Sequence, residues 1–129
     1  MADQDQSVEM ISFALIAAAG TARSLAFEAL AAAREHDFAK ADELIAQSKE
    51  AALEAHHQQT QLLVKEANGE HTEVNVMLVH AQDHLMTSML AQELIAEMIE
   101  LHRANAAKEG TRAQGAPRIW VRPKKRSNQ

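Results

Sequence analysis

Residues 8–32 read VEMISFALIAAAGTARSLAFEALAA. Apolar positions recur at Val8, Ile11, Leu15, Ala18, Ala22, Leu25, Ala29 and Ala32, in alternating steps of three and four residues. That repeat belongs to a helix whose apolar seam packs at a shallow angle against neighbouring helices, as in bundles. Ser7 is positioned to cap this helix, which leaves residues 1–6 as a disordered N-terminus. Gly20 costs a helix interior about 1 kcal/mol relative to alanine. Beside Ala17, Ala18, Ala19 and Ala22 it reads as a site of close helix approach.

The rest of the chain fits an all-α fold. Of the 129 residues, 47% are hydrophobic but only 3% aromatic, so alanine, leucine, isoleucine and methionine carry the apolar mass. Such a mixture favours closely packed helices over a sheet of aromatic and β-branched pairs. Asp37 follows the first helix as an N-cap for a second beginning at Phe38, and the short link makes the two antiparallel neighbours. The second helix carries Phe38, Ala41, Leu44, Ile45, Ala51, Ala52, Ala55, Leu62 and Leu63, interrupted by Ser48 and by the polar run His56 to Gln61. Either that run rides the solvated side or one or two of its members face the third helix. Asn68-Gly69 ends the second helix, since both residue types tolerate the left-handed conformation found at helix ends.

The third helix is expected from about Glu73 to Ala107. One of its stripes reads Leu78, Ala81, Leu85, Ser88, Ile95, Ile99, and a second reads Val76, His80, Asp83, Thr87, Leu90, Leu94, Glu97, Leu101. A helix with two such faces has two partners. One face covers the first two helices in an antiparallel three-helix bundle spanning residues 7–109, and the other predicts self-association through the third helix.

Charge divides the chain differently. All 18 acidic residues and seven of the 13 basic ones fall within residues 1–109, a net −11, while six arginines and lysines between Arg112 and Arg126 give +6, together making the net −5. Residues 110–129 read as a basic, disordered tail punctuated by Gly115, Pro117 and Pro123. The tail could bind nucleic acid, but the acidic body argues against that as the main function, and no nucleic-acid partner is expected. With no cysteine there is no disulfide, thiolate metal site or cysteine nucleophile. The acidic opening Met1-Ala2-Asp3-Gln4-Asp5 is the reverse of a signal peptide, and no apolar run approaches the roughly 18 residues of a membrane span, so the expected location is the cytoplasm.

Chemistry concentrates in His80-Ala81-Gln82-Asp83-His84-Leu85-Met86. Positions i, i+3 and i+4 share a helix face, so His80, Asp83 and His84 form one polar cluster. Imidazole, with an unperturbed pKa of about 6.5, is both a nucleophile and a leaving group near neutral pH, which suits His80 to accept and pass on a phosphoryl group. A surface His/Asp pair without chemistry is the alternative from spacing alone.

Val79-His80-Ala81-Gln82-Asp83-His84-Leu85-Met86-Thr87-Ser88-Met89-Leu90 closely resembles the active-site segment of lactose/cellobiose-class enzyme IIA of the bacterial sugar phosphotransferase system, above all its chitobiose/cellobiose branch. Ala19 to Ser24, Asp37 to Ala41, Glu54-Ala55-His56 with Gln59-Thr60, Glu93-Leu94-Ile95 and Glu100-Leu101-His102 are similar to the same family, so the likeness runs from Val8 to Ala107. The resemblance implies a three-helix protomer in a homotrimer. It implies that His80 takes a phosphoryl group from phospho-HPr and gives it to a cysteine of the cognate IIB, for uptake of a disaccharide of chitobiose, cellobiose or lactose type. The membrane would be met only indirectly, through the IIC transporter.

Asp83 corresponds to an aspartate at the trimer axis, which in the lactose branch shares a metal ion among three subunits. Three carboxylates brought together need a cation, protonation or a solvated gap, and Mg²⁺ or a similar divalent ion prefers such oxygens. Gln82, His84 and Gln59 are candidates to donate hydrogen bonds to His80 or its phosphoryl group, and Leu78 and Val79 to form a shallow docking surface. The basic extension exceeds the family's usual end, so no role for it follows from the resemblance.

Two other readings compete. A metal-binding bundle would use Glu54 and His57 with the His80 cluster, but a di-iron site needs two Glu-x-x-His pairs and two further glutamates on four helices, and one pair on three helices is present. A non-catalytic interaction module accounts for the heptads but not for His80 and Asp83 on one stripe.

Overall fold

The computed structural model describes the backbone of residues 2–115 and the side chains of residues 8–115. Three helices follow one another, α1 (Ala2–Arg34), α2 (Phe38–Ala67) and α3 (Val76–Gly115). They form the expected antiparallel bundle. α1 packs along both other helices, which touch each other much less.

Both turns are closed by local chemistry. At the end of α1, Asp37 N–H donates to Ala32 O and His36 N–H to Ala33 O, each at 3.0 Å, with His36 left-handed at φ 60°. This pair of reversed bonds satisfies carbonyls that a helix end leaves open. Asp37 then accepts from Lys40 N–H at 3.2 Å and caps α2 as expected. Gly69, at φ 84°, repeats the arrangement after α2, with Glu70 N–H donating to Lys65 O. Asn75 caps α3 by accepting from Leu78 N–H at 2.8 Å, so the helix begins at Val76 and not at Glu73.

The α2–α3 link is held by Glu66, which accepts from His71 Nδ1 at 2.7 Å and from Thr72 N–H at 3.1 Å. The His71 hydrogen bond, then the Thr72 N–H, hold its carboxyl below the usual carboxylate range. A carboxyl lowered by folding stabilises the fold above its unfolded pKa and ceases to do so as pH falls through its folded one. Carbon-13 titration should find Glu66 titrating below an ordinary glutamate, with His71→Ala returning it toward that value. An unchanged midpoint in the variant would remove His71 as the cause.

The core lies in two apolar clusters along α1. Ala26, Ala29, Leu30, Ala32 and Ala33 meet Ala41, Ile95 and Ile99 in one, and Leu15 and Ala19 meet Ala55, Ala81 and Leu85 in the other. Between them is a buried polar layer in which Gln92 Nε2 donates to Ser48 Oγ at 2.7 Å and Ser48 Oγ–H donates to Ala22 O, joining all three helices. Ser48, which interrupts the apolar pattern of α2, is thus fully buried. Ser48→Ala should cost about 1–3 kcal/mol, because it strands the Gln92 amide. Ser88 Oγ, also buried, has no hydrogen-bond partner among the described residues, so Ser88→Ala should be nearly neutral. Thermal unfolding of the two variants separates a bonded from an unbonded buried hydroxyl.

The helices depart from expectation at their outer ends. α1 begins at Ala2, so residues 2–6 are helical where disorder was expected and Ser7 lies inside the helix. Propagating an existing helix through good formers such as Ala2, Gln4 and Gln6 costs little once the packed part has nucleated it. α3 likewise continues through Gly110 to Gly115, so residues 110–115 are helix and not disordered tail. An exposed glycine costs only about 1 kcal/mol, and Pro117 disfavours the helical conformation at the residue before it. Met1 and residues 116–129, the remainder of the expected disordered ends, fall outside the described residues.

The segment Val8–Arg34 is long and apolar enough by composition to cross a membrane, contrary to the sequence expectation. Ser12, Gly20-Thr21, Arg23-Ser24 and Glu28 break its apolar residues into short runs, while its average over a helix-long window stays apolar. In the bundle, Leu15, Ala19, Ala22, Ala26 and Ala29 of this helix are all buried against α2 and α3.

Candidate functional site

The two stripes of α3 separate as their spacing requires. Leu78, Ala81, Leu85, Ser88, Ile95 and Ile99 are buried, joined by Gln92, whereas Val76, His80, Asp83, Thr87, Leu90, Leu94, Glu97 and Leu101 are all exposed. His80 therefore sits on an open face in this chain, among apolar residues left in solvent. Leu90 is 55% exposed, Leu94 51% and Leu101 62%. Leu78 is buried and unavailable for docking, while its neighbour Val79 is exposed.

Of the residues named around His80, the structure brings His84 to it. The two imidazoles stack, with centroids 5.6 Å apart and planes 12° from parallel. His84 reaches toward α1, where its Nε2 would lie 4.0 Å from a Cβ built on Gly20. That is ordinary contact distance, so Gly20 is not required for close helix approach. The glycine instead leaves open space beside the second imidazole.

Gln82 and Gln59 pair with each other. Gln59, buried in the middle of the polar run of α2, donates from Nε2 to Gln82 Oε1, with Met86 Sδ at 3.3 Å. Two residues along a helix turn the side chain by about 200°, which sends Gln82 to the α2 seam and away from His80. Within the chain the amide pair and the imidazole pair are separate, and no hydrogen bond joins either amide to His80 among the described residues. Since Gln82 Oε1 accepts, its amide N–H groups are the end left to donate.

Asp83 shares the exposed face with His80, and its carboxylate takes part in no ion pair among the described residues. No cluster of three metal-ligating side chains occurs among the described residues, and Glu54 and His57 both lie exposed on α2. Two surface depressions adjoin each other at Leu62 and Lys65, and neither is lined by His80, Asp83 or His84. An exposed imidazole on a helix face that also exposes leucines suits a reaction with another protein better than the enclosure of a small substrate.

Residues 10–103 match the family described as PTS system, lactose/cellobiose-specific IIA subunit. The chain belongs to that family. As a IIA subunit it is a phosphotransferase-system component of the chitobiose/lactose type, and its three-helix fold is that of its relatives. It is 50% identical over 97 residues to the N,N'-diacetylchitobiose-specific EIIA component of Escherichia coli K12, covering 75% of this chain and 84% of that one. The cellobiose-specific enzyme IIA from Bacillus anthracis superposes with a TM-score of 0.75 at 50% identity, over 78% of this chain and 93% of that one. The chitobiose IIA of Escherichia coli, solved as a complex with HPr, gives 0.67 at 48% identity, over 77% and 96%. His80 and Asp83 fall inside the matched span, whereas the last 26 residues, 104–129, fall outside it.

Proposed function

We propose that His80 carries the phosphoryl group in this IIA subunit. The observation that supports it most is an exposed imidazole on α3, oriented by a second imidazole, inside the span shared with the family. A neutral ring nitrogen of His80 attacks the phosphorus of phosphohistidine in HPr. The new N–P bond forms as the old one breaks, and the HPr imidazole leaves. The relative solved with HPr supports that donor. In the second half, the thiolate of a cognate IIB attacks the same phosphorus and His80 is the leaving group. Positioning and shielding of phosphate charge supply most of the catalysis in such transfers, so a stacked ring held in one orientation is useful.

The working assembly in this reading is a homotrimer through the exposed face of α3, located in the cytoplasm. The sugar is a disaccharide of chitobiose, cellobiose or lactose type, selected by other components. Asp83 from three subunits meets at the axis. A carboxylate without an ion-pair partner in its own chain is chemically suited to share a hard divalent cation such as Mg²⁺, which would offset the repulsion and hold the assembly.

The experiment is phosphorylation of the chain by enzyme I, HPr and phosphoenolpyruvate, read by intact mass. One acid-labile phosphoryl group is expected per chain, passing on when a IIB is added. No phosphorylation with active partners would refute the carrier role.

A further inference from the structure

Along α2 and α3, which touch little, three polar pairs join the helices among the described residues: Gln59 with Gln82, Ser48 with Gln92, and Asp42 with Arg103. The pair nearest His80 has a third member. Gln59 Nε2 also donates to Met86 Sδ at 3.3 Å, the one sulfur among the described residues that accepts a hydrogen bond. Gln59 is buried, whereas Met86 is 51% exposed, so this methionine links a buried amide to solvent.

Met86 also belongs to the open face of α3. Steps of seven and four residues place Val79, Met86 and Leu90 along one flank of it, all exposed, beside Asp83 and within two turns of His80. A thioether suits that place as an apolar, adaptable group that accepts only weakly. A sulfoxide is polar and accepts strongly, so it suits neither the flank nor the existing bond. With no cysteine in the chain, oxidation by peroxides falls on methionine. Met10 and Met98 are also exposed, but among the described residues their sulfurs accept no hydrogen bond, so oxidation there alters no contact.

We propose that Met86 is a reversible oxidation site, at which a hydroperoxide converts the thioether to a sulfoxide and slows phosphoryl transfer at His80. The Sδ lone pair forms an S–O bond as the peroxide O–O bond breaks. Sulfur gives up two electrons, and the departing oxygen takes them together with the proton of the transferred oxygen, leaving as water or an alcohol. Two thiols of a reductase reverse the step, forming a disulfide and releasing the oxygen as water. The new oxygen competes with Gln82 Oε1 for the Gln59 N–H groups, which loosens the amide pair, and it puts a polar group on the flank that a partner protein would cover. Only the effect on transfer rests on His80 as the carrier.

The full chain is treated with hydrogen peroxide, freed of it with catalase, and assayed for phosphoryl transfer from HPr before and after incubation with a methionine sulfoxide reductase and dithiothreitol. Peptide mapping should find one added oxygen on Met86, and the transfer rate should fall by about three- to tenfold and return after reduction. Met86→Leu, still oxidised at Met10 and Met98, should transfer after treatment at its own untreated rate. Met86 left unoxidised while Met10 and Met98 take up oxygen, an undiminished rate in the oxidised chain, or an equal loss in Met86→Leu would overturn the proposal. The side-chain amide resonances of Gln59 and Gln82 give a readout independent of transfer, and they should move on oxidation of the native chain but not of Met86→Leu. If the untreated chain takes no phosphoryl group from active HPr, the carrier reading fails and these resonances decide the oxidation site alone, with unmoved resonances refuting it.

Discussion

His80→Ala is expected to take up no acid-labile phosphoryl group from HPr, a loss of roughly a thousandfold or more in transfer rate. Deleting a nucleophile removes the covalent route itself, and no neighbour replaces it. His84 stacks on His80 but leans toward Gly20 of α1, so its ring is turned to its own chain and does not take the place of His80. His80 is exposed and has no hydrogen bond among the described residues, so the substitution should leave the fold and its unfolding temperature nearly unchanged. His84→Ala should be fully phosphorylated but more slowly, because the partner that limits the His80 ring to one orientation is gone. Intact mass and quenched-flow transfer on the two variants distinguish carrier from support. Full phosphorylation of His80→Ala would put the carrier elsewhere.

The stripe pattern of α3 was legible because helix period alone sorts its residues, and every member of both stripes lies where the spacing put it. Gln92 was missed because a polar residue at a core register reads as solvated until its partner is known. That partner is Ser48, itself read as a break in the apolar pattern of α2. Gln59 was among six polar residues, although Ala52, Ala55 and Gln59 continue one spacing of three and four and could have singled it out. Its contact with Gln82 depends on where α2 and α3 cross, which no single-helix pattern gives. For the same reason Gln82 looked like support for His80 from proximity in sequence, while rotation about the helix carries it to the opposite side. Helix ends were least legible, since a cost of about 1 kcal/mol at an exposed Gly110 decides nothing against helix propagation through its neighbours.

Leu94→Asp is expected to turn the trimer proposed above into monomers, read as mass by light scattering. Val76, Leu90, Leu94, Met98 and Leu101 are 84%, 55%, 51%, 43% and 62% exposed in the single chain. At about 1.5–3 kcal/mol for a fully buried side chain, covering what remains of them supplies several kcal/mol per chain, enough to bear on an association that costs about 4–15 kcal/mol. Rotation about a common axis brings like positions together, so in the proposed trimer the variant would place three new carboxylates where three leucines would otherwise meet. Apolar contact is lost and like charges are gathered in one step, which should weaken assembly by at least about a thousandfold. A variant still trimeric would move the interface to another face. The same symmetry makes Asp83 a test of the ion. If a divalent cation offsets three Asp83 carboxylates, a chelator should lower the thermal stability of the native trimer and leave Asp83→Asn unaffected, because the amide has no charge to compensate. If Asp83→Asn is more stable than the native chain with or without chelator, the carboxylates repel across a solvated gap and no metal holds the axis.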